Sequence, residues 1–85
     1  MLIFLAKLDE AIEICLKYSD KMPYIRKRGE LMSCKLDIYN EMDNIPKCRE
    51  LIAEIDRINA DYKKQGVYIK VSEEIRLKIE NGINQ

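Results

Sequence analysis

Apolar residues fall along this chain in three long stretches of helical period. In the first, Leu5, Leu8, Ile12 and Cys15 are spaced three, four and three apart, and Phe4, Ala11 and Leu16 widen the stripe. This predicts a helix over about 2–18. Ile3 and Ile14 lie opposite the main stripe, so the helix is apolar nearly all round. "YSDKMP" then breaks the pattern, because Pro23 biases Met22 away from helical angles.

The second stretch, about 23–43, carries two apolar stripes. One is Met22, Ile25, Gly29, Met32, Leu36 and Tyr39; beside it run Tyr24, Leu31, Cys34, Ile38 and Met42. At roughly 100° per residue, the two stripes cover about 240° of the helix. A helix that apolar needs cover on more than one side, which makes it the central one.

The third stretch, about 46–65, repeats the three-four spacing through Cys48, Leu51, Ile55, Ile58 and Tyr62, with Asn44 placed to cap its start and Gly66 to end it. The short "DNIP" turn makes the second and third helices antiparallel neighbours. That register sets Met32 near Ile58, Leu36 near Ile55, Tyr39 near Leu51, and Gly29 against Tyr62.

The remainder reads differently. "VYIKV", 67–71, alternates apolar and polar residues and is rich in β-formers. It is an extended segment, either laid along the bundle or paired as a strand with a second copy or a partner. Ser72 opens a small helix over about 72–81, with Glu74–Lys78 and Arg76–Glu80 as supporting pairs and "NGINQ" as its end. The expected fold is therefore all-α: an antiparallel helical hairpin packed with an N-terminal helix, plus the extended segment and a small C-terminal helix. All 85 residues form one domain.

Composition narrows the functional classes. Fifteen positive charges balance fifteen negative ones, which counts against a strongly nucleic-acid-directed domain. The charge is uneven, however. Residues 21–35 carry Lys21, Arg26, Lys27, Arg28 and Lys35 against Glu30 alone, whereas 37–61 carry seven acids against Lys47, Arg49 and Arg57. There is no histidine, so His-based acid–base chemistry and triads are absent. The i,i+4 acid pairs Asp9/Glu13, Asp37/Glu41 and Glu50/Glu54 read as solvated helix faces. Cys15, Cys34 and Cys48 show no metal-ligand spacing and read as packed, reduced thiols. No Gly-rich phosphate loop, cofactor motif, metal site or catalytic set is expected. The apolar opening "MLIFLA" is too short for a signal peptide or a membrane span, so a cytoplasmic, non-enzymatic protein with no membrane contact is expected.

The stretch "KMPYIRKRGE", 21–30, is the main candidate for contact with another molecule. Positive charge in the first turns of a helix opposes its dipole, so folding does not ask for it. The antiparallel register offers partners within the chain, Asp61 for Arg28 and Glu54 for Lys35, and leaves Arg26 and Lys27 unmatched. Lys21, Tyr24, Arg26, Lys27 and Arg28, with Leu31, Cys34, Ile38 and Met42 of the second stripe, form the candidate partner-binding set.

"VYIKVSEEIRLKIENGI" resembles the opening strand and first helix of the ribbon-helix-helix repressors. The resemblance implies two copies pairing strands and inserting the ribbon into the DNA major groove, with Tyr68 and Lys70 facing bases and Val67, Ile69 and Val71 facing inward. The family's second helix has no counterpart before Gln85.

The excess of apolar helix surface favours a protein-interaction module: an adaptor, assembly factor, chaperone or stoichiometric inhibitor. It would act as a homodimer or on a larger protein. The alternative is a small nucleic-acid-binding regulator using the basic cluster 21–28.

Overall fold

The computed structural model describes residues 2–18 and 20–83, with side chains described from Ile3 to Asn81 apart from Ser19. The fold is all-α. Four helices follow in order: α1 (Leu2–Lys17), α2 (Met22–Glu41), α3 (Ile45–Asp61) and α4 (Glu73–Ile83). Among the described residues no strand forms.

Central helix α2 packs against α1 on one side and α3 on another, and α4 leans on α3. Helices α1 and α3 make no comparable contact with each other among the described residues, so the three long helices form an open array about α2 rather than a closed bundle. The result is flat, with principal extents of 40 × 31 × 14 Å.

Local sequence explains the helix ends. Asn44 caps α3, its Oδ1 accepting from the Lys47 N–H at 3.3 Å. Between α2 and α3 the Asn44 N–H donates to the Tyr39 carbonyl and the Asp43 N–H to that of Asn40, a Schellman closure. Asp43 holds the left-handed position, at φ 54°, that glycine usually takes. Helix α3 is shorter than the periodicity predicts: it stops at Asp61, and Lys63–Gln65 tighten into a 3-10 turn before Gly66 turns the chain at φ 80°. Helix α4 runs longer, because "NGI" stays helical instead of ending it; Asn84 and Gln85 lie outside the described residues.

The core is built from the main stripes. Ile12 of α1, Ile25, Met32 and Leu36 of α2, and Cys48, Leu51, Ile55 and Ile58 of α3 are buried together with Val67, Val71, Ile75 and Ile79. The extended segment and α4 thus share one core with the hairpin, which explains where α2 finds cover on its third side. The segment 67–72 is extended but pairs with no strand; it lies along the hairpin. Its alternation is as expected, with Val67 and Val71 buried, Ile69 half-buried, and Tyr68 and Lys70 exposed.

One detail of the expected register is refined here. The atoms nearest the missing side chain of Gly29 belong to Ile69 rather than Tyr62: a methyl group added at Gly29 would overlap Cγ1 and Cδ1 of Ile69. Helix α2 therefore lacks a side chain there so that the extended segment can lie close. The Asn59 side chain holds that segment in place, accepting from the Ile69 N–H at 2.7 Å and donating to the Ile69 carbonyl at 2.9 Å. One amide side chain thereby does what a neighbouring strand would do for that residue.

The pair expected between Glu74 and Lys78 within α4 is redirected, and Arg76 also reaches another helix. Lys78 reaches Asp43 Oδ1 at 2.6 Å and the Asn40 side-chain and main-chain oxygens, while Arg76 pairs with Asp56 of α3 at 2.6 Å. Each cation ties α4 to a different helix of the hairpin. Helix ends offer main-chain carbonyls and a favourable dipole to a lysine, so Lys78 gains more at the end of α2 than from Glu74 one turn away.

Candidate interaction surface on α1 and α2

Outer rows of α1 and α2 line an open apolar groove. Ile3, Lys7, Ala11, Ile14 and Tyr18 recur at helical spacing along one side of α1, with Phe4 beside them. Ile3 is 77% exposed, Phe4 70% and Ile14 54%. The facing row on α2 is Tyr24, Lys27, Leu31, Cys34 and Ile38, continued by Met42. Between the rows lies a groove of about 460 Å³, lined by Ala11, Ile14, Cys15, Pro23, Tyr24, Lys27 and Leu31. Tyr18 and Tyr24 stack with ring centroids 4.7 Å apart, closing the groove at the α1–α2 turn.

The structure separates the candidate residues read from the sequence. Consecutive residues on a helix point about 100° apart, so Arg26, Lys27 and Arg28 do not share a face. Lys21 is exposed at the cap of α2 and makes no side-chain capping bond. Arg26 lines a second cleft, with Glu30, Ser33 and residues 66–70. Lys27 lines the apolar groove and pairs with Glu30 at 3.4 Å. Arg28 is half-buried, and its Nε is shut off from solvent without a hydrogen-bond partner among the described residues. The pairing expected between Arg28 and Asp61 does not form. Lys35 lies beside Glu54 as expected, in a cleft they share with Asp9 and Tyr39, but its ammonium bonds Asp9 of α1 at 2.6 Å. Helix α1 approaches closely enough to capture it.

Of the second stripe, Tyr24 and Met42 are exposed, Leu31 and Ile38 half-buried. Cys34 corrects the expectation of a packed thiol: it is exposed, whereas Cys15 and Cys48 are buried. The reason is angular, since Cys34 sits at the edge of the stripe farthest from both neighbouring helices. Burial pushes the Cys48 thiol up from its ordinary pKa, opposed by the positive charge of Lys78. Its Sγ lies 4.0 Å from the Leu36 carbonyl oxygen.

Two contributions escaped the residue-level reading. From α1, Ala11, Ile14 and Cys15 line the groove, and Ile3 and Phe4 are exposed farther along the helix. Their signal was the apolar girth of the first segment, which marked excess surface without saying which part stays open. Asn59 was the other. Its only sequence signal is a polar residue of poor helix propensity beside the buried Ile58.

No helix among the described residues is long and apolar enough to cross a membrane. Compared with known protein families, characterised proteins and solved structures, the chain matches none.

Proposed function

We propose that this chain is a non-enzymatic protein-interaction module and that the α1–α2 face is its working surface. The observation that carries the reading is the exposed apolar surface of α1 and α2: Ile3, Phe4, Ile14 and Tyr24 are all exposed, and an apolar groove runs beside Ile14 and Tyr24. Exposed apolar surface of this kind marks interaction sites on small proteins. The flat shape of the molecule accords with it: the accessible surface is 6066 Å², above the roughly 5,200 Å² expected for a compact monomer of this mass. Its role is to be joined to another polypeptide as adaptor, assembly factor, chaperone or inhibitor.

The test combines sedimentation equilibrium of the chain with capture of partners from its native lysate, comparing wild type with Ile14→Asp and Phe4→Asp. Wild type is expected to self-associate or to retain a discrete partner, and both variants to lose that association while keeping the helical circular-dichroism spectrum. A monomer that retains no partner, or a partner retained equally by both variants, would remove the α1–α2 face as the working surface.

A second reading has one observation in its favour: Arg26 and Lys70 line the same cleft between α2 and the extended segment, together with Ser33 and the acid Glu30. A nucleic-acid phosphate is the ligand those groups suit. Fluorescence anisotropy with random duplex and single-stranded DNA would then show binding that weakens steeply with salt and disappears in Arg26→Ala with Lys70→Ala.

A further inference from the structure

We infer that the extended segment 67–71 takes an extended peptide of another polypeptide along its open edge, by strand addition. This edge is on a different face from the α1–α2 groove and does not depend on it.

The first observation is an imbalance of main-chain hydrogen bonds. Along an extended chain, successive residues turn their N–H and C=O groups to opposite edges. The Ile69 N–H and C=O both bond the Asn59 side chain of α3, at 2.7 and 2.9 Å. Tyr68 and Lys70 therefore turn theirs the other way, and among the described residues none of these four groups has a hydrogen-bond partner. Asn59 closes one edge of the segment, and the other is a bare template for pairing.

The second observation is the space beside that edge. A cleft of about 380 Å³ opens there, with residues 66–70 on one side and Arg26, Glu30 and Ser33 of α2 on the other. Those three positions lie about 40–100° round α2 from Gly29, on the side opposite the buried Ile25 and Met32. The cleft and the unpaired groups thus share one side of the segment. Tyr68, 77% exposed, stands above it, where a residue of an added strand would cover its ring.

These features select the occupant. A helix brings main-chain groups already bonded to one another, so it leaves the edge unpaired. A phosphate can accept from the two N–H groups but leaves both carbonyls bare and meets Glu30. A second copy is excluded by α2. Antiparallel pairing of two such segments about a two-fold axis turns both inner faces to the same side of the ribbon. In each copy the Ile69 side chain sits on Gly29, so the two α2 helices would run at the strand spacing of about 4.8 Å. Packed helices need about 8–10 Å. A peptide with no helix beneath it can lie over the Arg26, Glu30 and Ser33 row, its main chain exchanging hydrogen bonds with Tyr68 and Lys70.

Fluorescence anisotropy of an end-blocked, fluorescein-labelled peptide of about six alternating valine and threonine residues, titrated with the full chain, tests this. Saturable binding is expected. The fully N-methylated peptide keeps the side chains and loses the main-chain donors, so it should bind at least about tenfold more weakly. Lys70→Pro removes one edge N–H from a segment whose extended backbone accepts proline, and should weaken binding as much; Lys70→Ala, which keeps that N–H, should not. Circular dichroism and the protection of the Ile69 amide from exchange check the fold of both variants. Should Lys70→Pro unfold, the two peptides on the wild-type chain decide alone. No binding, equal binding of both peptides, or an equal loss in Lys70→Ala and folded Lys70→Pro would overturn the inference. So would a dimer that Lys70→Pro dissolves, which assigns the edge to a second copy. Random DNA that displaces the peptide at low salt and fails to do so in Lys70→Ala would assign the cleft to phosphate and overturn it too.

Discussion

At the scale of single residues, the most constrained point is the meeting of Gly29, Ile69 and Asn59. Gly29 costs helix α2 about 1 kcal/mol relative to alanine, and the structure shows what the cost makes possible: the Ile69 side chain occupies the space of the missing methyl. Gly29→Ala would gain helix propensity and lose about 1–3 kcal/mol to overpacking, because Asn59 pins Ile69 at both its N–H and its carbonyl. We expect a lower urea midpoint for Gly29→Ala. In an Ile69→Ala background the same substitution should become neutral or stabilising, a coupling that a double-mutant cycle reads directly. Asn59→Ala leaves both Ile69 main-chain groups unpaired, at a cost of about 1–3 kcal/mol. Its specific signature is rapid hydrogen exchange at the Ile69 amide, and Asn59→Asp, which can still accept from that amide, should retain part of the protection. The cysteines supply a third check. Cys34 should react at once with a thiol reagent in the native protein, and Cys34→Ser should remove that fast phase. Cys48, buried and with its pKa pushed up, should react only on unfolding.

At the scale of elements, the long helices were legible because burial imposes a period. The main stripes of the second and third segments are buried largely as read: Ile25, Gly29, Met32 and Leu36 in α2, and Cys48, Leu51, Ile55 and Ile58 in α3. Caps were legible as well, since Asn44 and Gly66 act through bonds within a few residues. The extended segment was legible as a local conformation but not as a location. Its alternation told which side chains turn inward; that it lies against Gly29 and Asn59 depends on residues separated from it by whole elements. The ion pairs were the least legible. Lys35, Arg76 and Lys78 each bond a residue on another element, because exposed pairs are worth only about 0–1 kcal/mol and are settled by which carboxylate the fold brings near.

At the scale of the whole molecule, openness is the property on which the proposed interaction rests. A radius of gyration of 13.1 Å exceeds the roughly 12 Å of a compact domain of this length. The flatness follows from connectivity: α2 has α1, α3 and the extended segment around it, but α1 has α2 alone as its principal neighbour. The outer side of α1 and the adjoining stripe of α2 therefore stay in water. The variants Ile14→Asp and Phe4→Asp belong to this scale, because on the proposed reading they alter association while leaving the buried stripes untouched. If the groove is a working surface, these changes cost little stability. If it were part of the protein's own core, they would unfold it, and thermal melts of the two variants distinguish the cases.

The sequence by itself determined the helical periods, the cap residues, the inward and outward alternation of 67–71 and the existence of more apolar surface than three helices can shelter. Each of these is a short-range consequence of spacing and backbone preference. Only the tertiary structure decided which apolar rows remain exposed, that Gly29 receives Ile69, and that Asn59 stands in for a strand. Those outcomes depend on how separate elements share a limited area around α2, and a helical period records that a face is apolar without recording what covers it.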